Sequence, residues 1–587
     1  MLNALVLVAA VQAAPLPPAL PWNGKTRELV ARTSDPWITP AEKSGFRTTP
    51  NYQETIDYLR RLTAASKELR MVSIGRSAEG RDIWMVVASR EKLFTPAALL
   101  ESNKPTLLAQ GGIHAGEIDG KDAGMMLLRD MVFGRSRALL DRVNFLFVPI
   151  FNVDGHERIS PFGRINQRGP EAMGWRTTAR NLNLNRDYTK LDAPEMRAMV
   201  SALNRWKPDL YVDLHVTDGA DFQYDLTYGW NQTTGYSPAI TAWLDQTLAP
   251  ELERELKAMG HIPGFFFYNL GDDPAVGIQY PNSTPRLSTG YGDVRHLPTV
   301  LVENHSLKPY DQRVLGTVVL LRSMLAILGR NGKSLRSAIS SDQRRRVDPV
   351  PLAWARPKTT SETVEYLGIA YRKRESAISG TTSIEWLGKP VTERVPLFRE
   401  TEVTSSVPRA KAYWIQPAWG HIVDRLEMHG VAVERIGSAR EVDVEVYRLT
   451  DPKLEPEAYE GHVRLRSGVA MERRREKYPA GSWRVSTDQP LGNLVTVLLD
   501  PESNDSFLKW GFFHEILQRT EYVEDYVVEP MAEQMLAADP KLAAEFQQRL
   551  ERDEAFRKSP QARLRFFYER TPYFDERWKL YPVARER

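Results

Sequence analysis

The sequence predicts an α/β fold with a mixed, mainly parallel central sheet flanked by helices, followed by a C-terminal α+β domain with a helical tail. Three observations carry that expectation. Four apolar runs, Leu107–Ala109, Phe145–Phe151, Leu210–Leu214 and Thr299–Val302, are nearly uninterrupted rather than alternating, as in strands buried on both faces. Helical spacing of apolar residues appears between or after them, at Gly120–Val132, Pro194–Trp206, Ala239–Met259 and Asp311–Leu328. The composition then shifts at Gly329–Pro357, rich in Gly, Ser, Arg and Pro, and strand-like and helix-like stretches mix beyond it.

The elements follow in order. The apolar run Leu2–Ala10 is too short for a bilayer span of ~20 residues and is followed by the small residues Val11, Ala13 and Ala14. It predicts a signal peptide over residues 1–14, cut near Ala13 or Ala14, although no Lys or Arg precedes it. The protein is therefore expected to be exported, periplasmic or extracellular, with no membrane span in the mature chain. A proline-rich spacer occupies residues 15–39. Tyr52, Ile56, Leu59 and Leu62 recur at helical spacing behind Thr49-Pro50, read as cap and first turn. Short strands are expected at Met71–Ile74 and Ile83–Val87, inside an α/β domain placed at residues 40–335. A linker is expected at 336–360, and a C-terminal α+β domain at 361–587. In that domain Glu362–Val403 reads as β-rich, Ala412–Ile415, a helix from Trp419 and Val431–Ile436 read as β-α-β, and Phe507–Arg587 reads as helical.

Composition excludes several function classes. Lys and Arg number 78 against 75 Asp and Glu, a net charge of +3 spread along the chain, so no basic face announces nucleic acid. The chain has no cysteine, which removes disulfides, thiolate metal sites and thiol nucleophiles. Any metal must be held by His, Asp or Glu.

Polar groups stand where the buried runs end. His114-Ala-Gly-Glu117 follows the first run, Asn152-Val-Asp154-Gly the second, His215 the third and Glu303 the fourth. In open α/β sheets ligands bind outside the carboxyl ends of the strands, so these groups should converge on one crevice. Two histidines and a glutamate make a three-ligand set for zinc that leaves a position open. A carboxylate such as Glu303 beside that set can serve as general base. The segment from Trp175 to Arg186 supplies cations and amides for a developing oxyanion or a terminal carboxylate.

In combination and in order, these motifs resemble the zinc carboxypeptidases of the carboxypeptidase A type, the funnelins. The resemblance runs from about Tyr52 to Leu328 on His114-x-x-Glu117, Asn152-x-Asp154-Gly155, Trp175-Arg176-x-Thr178, Asn185-Arg186, His215 and Glu303. It looks like a bacterial-type member with a long C-terminal extension and a zinc carboxypeptidase-like catalytic domain. The resemblance implies that His114, Glu117 and His215 bind one Zn²⁺ per chain and that Arg176 polarises the scissile carbonyl. It further implies that Asn185 and Arg186 grip the free C-terminal carboxylate and that Glu303 is the general base. A tyrosine that closes over the substrate is expected in the stretch before Glu303; Tyr280 is preferred, with Tyr291 the other candidate.

Some positions depart from the family pattern. Asn183 stands where many members place an aspartate that orients the first zinc histidine. Ala115-Gly116 stands where digestive members carry a substrate-binding arginine. The expected activity is hydrolysis of the C-terminal peptide bond of peptides with a free carboxylate. Two alternatives stay open, a zinc amidohydrolase acting on cell-wall peptides or acyl amino acids, and a non-catalytic peptide-binding protein.

Overall fold

A computed structural model describes residues 16–519 and 521–587, so the expected signal peptide lies outside the described residues. Ten strands belong to the first half of the chain: β1 (Leu69–Arg76), β2 (Asp82–Ala88), β3 (Thr106–Gly111), β4 (Asn144–Val148), β5 (Leu210–Val216), β6 (Leu226–Gly229), β7 (Pro263–Phe265), β8 (Tyr268–Asn269), β9 (Ile278–Tyr280) and β10 (Thr299–Asn304). Eight of them form the central sheet, in the order β1-β2-β4-β3-β5-β10-β6-β7. The inner strands β4, β3, β5 and β10 run parallel, while β1, β2 and β6 pair antiparallel toward the edges. The four uninterrupted apolar runs of the sequence are these inner strands, and β3, β4 and β5 are buried along their whole length.

Helices cover both faces of the sheet, as continuous strand burial requires. The helix Tyr52–Ala65 buries Ile56, Leu59 and Leu62, and Asn51 caps it in a reciprocal box with Glu54. Thr49, expected as the cap, instead donates its hydroxyl to Asp122 at 2.6 Å. The helix Asp119–Val132 is buried almost throughout. The helix Pro194–Trp206 starts with proline in its first turn and ends on Lys207 in the left-handed region.

The helix expected to end at Leu328 runs from Tyr310 to Arg344. The break at Gly329–Pro357 and the linker at 336–360 are therefore corrected to helix up to Arg344, with a strand at Val350–Ala355. Two glycines suggested a helix end, but they serve close packing. A side chain at Gly332 would meet Pro105 at 2.7 Å, and one at Gly329 would meet Arg142 at 3.0 Å. This helix is long and apolar enough to cross a bilayer, yet 83% of its most apolar stretch is buried in the protein, as befits a core helix.

The second half adds β11 (Val350–Ala355), β12 (Thr363–Glu375), β13 (Thr382–Arg399), β14 (Glu402–Val407), β15 (Ala412–Ile415), β16 (Glu434–Arg435), β17 (Arg440–Tyr459), β18 (His462–Tyr478), β19 (Trp483–Ser486) and β20 (Leu580–Glu586). Six of these form a second sheet, β16-β19-β15-β20-β17-β18. The tail, expected to be strongly helical from Phe507 to Arg587, has turns from Phe507 to Phe513 and four helices between Asp525 and Tyr568. It then returns its last residues to the middle of this sheet as β20. Phe546, Phe556 and Phe566 hold the helices together in a small cluster of their own.

The two halves share one apolar core. Tyr413, Ile415, Ile422, Leu426 and Leu494 pack in the same buried cluster as Met199, Leu203, Trp206 and Tyr211. The Tyr291 hydroxyl meets His429 Nδ1 at 2.8 Å across that seam. A chain ending at Arg345 would expose this surface, and it is expected to be insoluble or to lack a cooperative melting transition. Leu494→Ala should cost about 2–5 kcal/mol and lower the melting of both halves together. Calorimetry that shows only a C-terminal transition moving would contradict the shared core.

Candidate metal centre and active site

The site begins with a turn. Gly112 leaves β3 at φ +68°, a conformation that favours glycine, and turns the chain out of the sheet. In the turn that follows, the Glu117 N–H donates to the His114 carbonyl at 2.9 Å, which places both side chains on one side. His215 is the sixth residue of β5, and it lies in register with Glu303 on the parallel neighbour β10. The parallel register therefore sets Glu303 and His215 on the same face of the sheet.

The three side chains meet. One donor atom from each of His114, Glu117 and His215 lies within 4.8 Å of the other two, and among the described residues this is the only such cluster. His114 Nδ1 is 3.1 Å from Glu117 Oε1, and His215 Nδ1 is 3.0 Å from Glu117 Oε2. All three residues are buried.

The outer nitrogens of both rings are engaged elsewhere. His114 Nε2 lies 3.0 Å from Asn183 Oδ1, and His215 Nε2 lies 2.8 Å from Asp213 Oδ2. Each ring is thus held with Nδ1 turned inward, the arrangement in which outer partners orient metal-binding imidazoles. The residues fit a zinc ion: two inward nitrogens and a carboxylate at one point, with the further carboxylates Asp213 and Glu303 nearby.

Burial and neighbouring charges act in opposition at these groups. Burial raises the Glu117 carboxyl, but His114 and Arg164 outweigh it and hold the pKa well below the ordinary range. Burial likewise opposes charge on His215, while Asp213 and Glu117 hold its pKa well above the usual value. Glu303 is pushed up to about 8 by burial, with Glu117 and Asp213 adding to the rise and His215 opposing it. Its Oε2 is buried without a hydrogen-bond partner, which is costly for an idle carboxylate. A divalent cation at the triad would favour its ionised form.

The expected site residues largely come together around a cavity of about 850 Å³. His114, Glu117, Arg176, Asn185, Arg186, His215 and Glu303 all line it. Arg176 lies 3.2 Å from Glu117 Oε1, with its side chain 37% exposed toward the cavity. The Asn-x-Asp-Gly motif acts as scaffold for that arginine. Asn152 caps the short helix Val153–Glu157 and donates its amide to the Arg176 carbonyl at 3.1 Å. Asp154 accepts from Ser77, the Glu79 N–H and Arg81 at 2.7–3.0 Å, tying the motif to the loop after β1. Asn185 accepts from the Ser288 N–H at 3.0 Å, and Arg186 donates to the Asn185 carbonyl at 2.6 Å.

Tyr280 is the exception. It lies on β9, packs on Phe265 at 4.6 Å between ring centroids and sits under Arg399 at 5.0 Å, and it does not itself line the cavity. Tyr291 is buried against His429 and does not line the cavity either. The tyrosine that does is Tyr268, 51% exposed on the two-residue strand β8. Burial and the Glu303 carboxylate push its pKa up, while Arg186 pulls it down.

Sequence reasoning also missed Asp213 and Arg164. Arg164 donates to Glu117 Oε1 at 2.8 Å and also reaches the Val216 carbonyl and Asp218. Its stem fills the space beside Gly116, where a Cβ would meet Arg164 Cδ at 2.5 Å. The alternation of β5 was the available signal for Asp213, which shares a strand face with His215. Nothing local in the sequence pointed to Arg164.

Residues 55–270 match the zinc carboxypeptidase family. The chain is 24% identical over 509 residues to carboxypeptidase 2 of Trichophyton tonsurans, covering 83% of this chain and 89% of that one. It is 24% identical over 483 residues to carboxypeptidase 2 of Trichophyton rubrum, covering 79% and 84%. Such coverage extends well beyond the first half, so the similarity includes the C-terminal half. Among solved structures, carboxypeptidase A of Helicoverpa armigera aligns at 16% identity and a TM-score of 0.36, over 50% of this chain and 75% of that one. The match identifies residues 55–270 as a zinc carboxypeptidase domain, and the relatives named carboxypeptidase that share most of the chain support a metallocarboxypeptidase.

Proposed function

We propose that the protein is an exported enzyme that removes single residues from peptides with a free C-terminal carboxylate, using one zinc ion and Glu303 as general base. The observation that carries this reading is the placement of Glu303 and Arg176 on one cavity with the His114–Glu117–His215 triad and the Asn185-Arg186 pair. Export rests on the apolar run Leu2–Ala10 alone.

The chain's own residues account for each step. Asn185 and Arg186 take the terminal carboxylate, for which a guanidinium fork is suited. Arg176 donates to the scissile carbonyl oxygen as that oxygen becomes negative. His114, Glu117 and His215 would hold the zinc ion, which would supply Lewis-acid polarisation of the carbonyl and make a water molecule more acidic. Glu303 takes a proton as the water oxygen bonds to the carbonyl carbon, then gives a proton to the amine nitrogen as the C–N bond breaks. Tyr268, which lines the cavity, is the tyrosine placed to close over the substrate.

Two outcomes check this reading. Glu303→Gln is expected to keep its metal, by elemental analysis, and lose about 10²–10⁴ in kcat; a near-normal rate would remove the base. Asp213→Asn is expected to weaken metal retention about 10–100-fold in a competition with a chelator, whereas Asn183→Asp should strengthen it. Equal retention in all three proteins would contradict the assignment of the metal to this cluster.

A further inference from the structure

The C-terminal half reaches into the cavity. The strands β12 and β13 form a long hairpin that joins β9 and β8 in a four-stranded sheet, order β12-β13-β9-β8. The strand β8 carries Tyr268, so this sheet is one wall of the cavity, built from both halves of the chain. In the hairpin, Tyr371 pairs with Trp386 and Lys373 with Ile384, so these four side chains share a face. The intervening pair Arg372 and Glu385 forms an exposed ion pair on the other face.

The shared face is the one turned to the cavity. Ile384 and Trp386 line it, and Trp386 packs edge-on against Tyr371 at 5.6 Å. Lys373 reaches Asp273 at 2.6 Å and the Tyr371 hydroxyl also donates to Asp273, next to the cavity-lining Asp272. At its base the hairpin is fixed to the segment after His215: Gln223 donates to the carbonyls of Leu367, Gly368 and Val391 at 2.7–3.0 Å.

Depth assigns this wall a place along the substrate. Asn185, Thr227 and Ser288 are buried at the closed end, whereas Asp218, Gly271 and Asp272 are exposed at the mouth. A peptide whose terminal carboxylate is held by Asn185 and Arg186 must leave past the mouth, beside the hairpin. On the carboxypeptidase reading, we propose that Ile384 and Trp386 form an apolar subsite for substrate side chains upstream of the scissile bond. The enzyme then favours peptides with large apolar residues there over shorter acylated amino acids. An aromatic wall offers a large contact area at small entropic cost.

The test compares two peptides with the same C-terminal dipeptide, one extended upstream by two phenylalanines and one by two alanines. For the wild-type enzyme the ratio of kcat/KM is expected to favour the phenylalanine peptide by about tenfold, mostly through KM. Trp386→Ala should bring the ratio to near one, and Trp386→Phe should retain most of the preference. Glu385→Ala, on the outer face of the same strand, should keep the wild-type ratio. A wild-type ratio near one, or an unchanged ratio in Trp386→Ala, overturns the subsite while leaving the carboxypeptidase standing. Cleavage of neither peptide by the metal-loaded wild type overturns both.

Discussion

The buried carboxylate of Glu117 is the group on which the site depends. Two imidazoles and the guanidinium groups of Arg164 and Arg176 surround it, all within 3.2 Å. A charge so far from water is tolerated only where such partners are fixed in advance. The turn after β3, the end of β5 and two separate loops must therefore arrive at one point. The central sheet achieves this by placing the carboxyl ends of β3, β5 and β10 side by side.

The distribution of charge in the outer shell differs from the family pattern set out above. The first histidine is held by the amide of Asn183, and the carboxylate has its place on the second histidine, as Asp213. Gln110 donates to the other oxygen of Asp213 at 2.8 Å and ties it to β3. Arg164 occupies the neighbourhood of Gly116 and is bound to the metal-site carboxylate itself.

The C-terminal half helps to build the walls of the candidate site. Glu460 accepts from the Asn183 N–H at 2.8 Å, His429 lies 3.1 Å from the Thr189 carbonyl, and His462 pairs with Asp192 at 2.7 Å. These contacts hold the segment from Asn183 to Asp192, which carries the Asn185-Arg186 pair. The hairpin β12–β13 supports the opposite wall, so both sides of the cavity lean on residues far along the chain.

Much of this was legible in the sequence because buried parallel strands leave a strong apolar signal and polar residues at their ends stand out. His114, Glu117, His215 and Glu303 were found that way. Tyr268 was not, because a two-residue strand in a loop has no periodicity, and the stretch before Glu303 offered Tyr280 and Tyr291 instead. The helix through Gly329 and Gly332 was cut short because glycine reads as a break when its packing partner is unseen. The strand β20 and the shared core depend on contacts between distant segments, which no local pattern records. The account is tested most directly by mass spectrometry of a peptide pool, each peptide present with a free and an amidated C-terminus, incubated with zinc-loaded enzyme and with a chelated control. The account predicts metal-dependent ladders losing single residues from free C-termini only. Intact free peptides, or equal trimming of amidated ones, would contradict it.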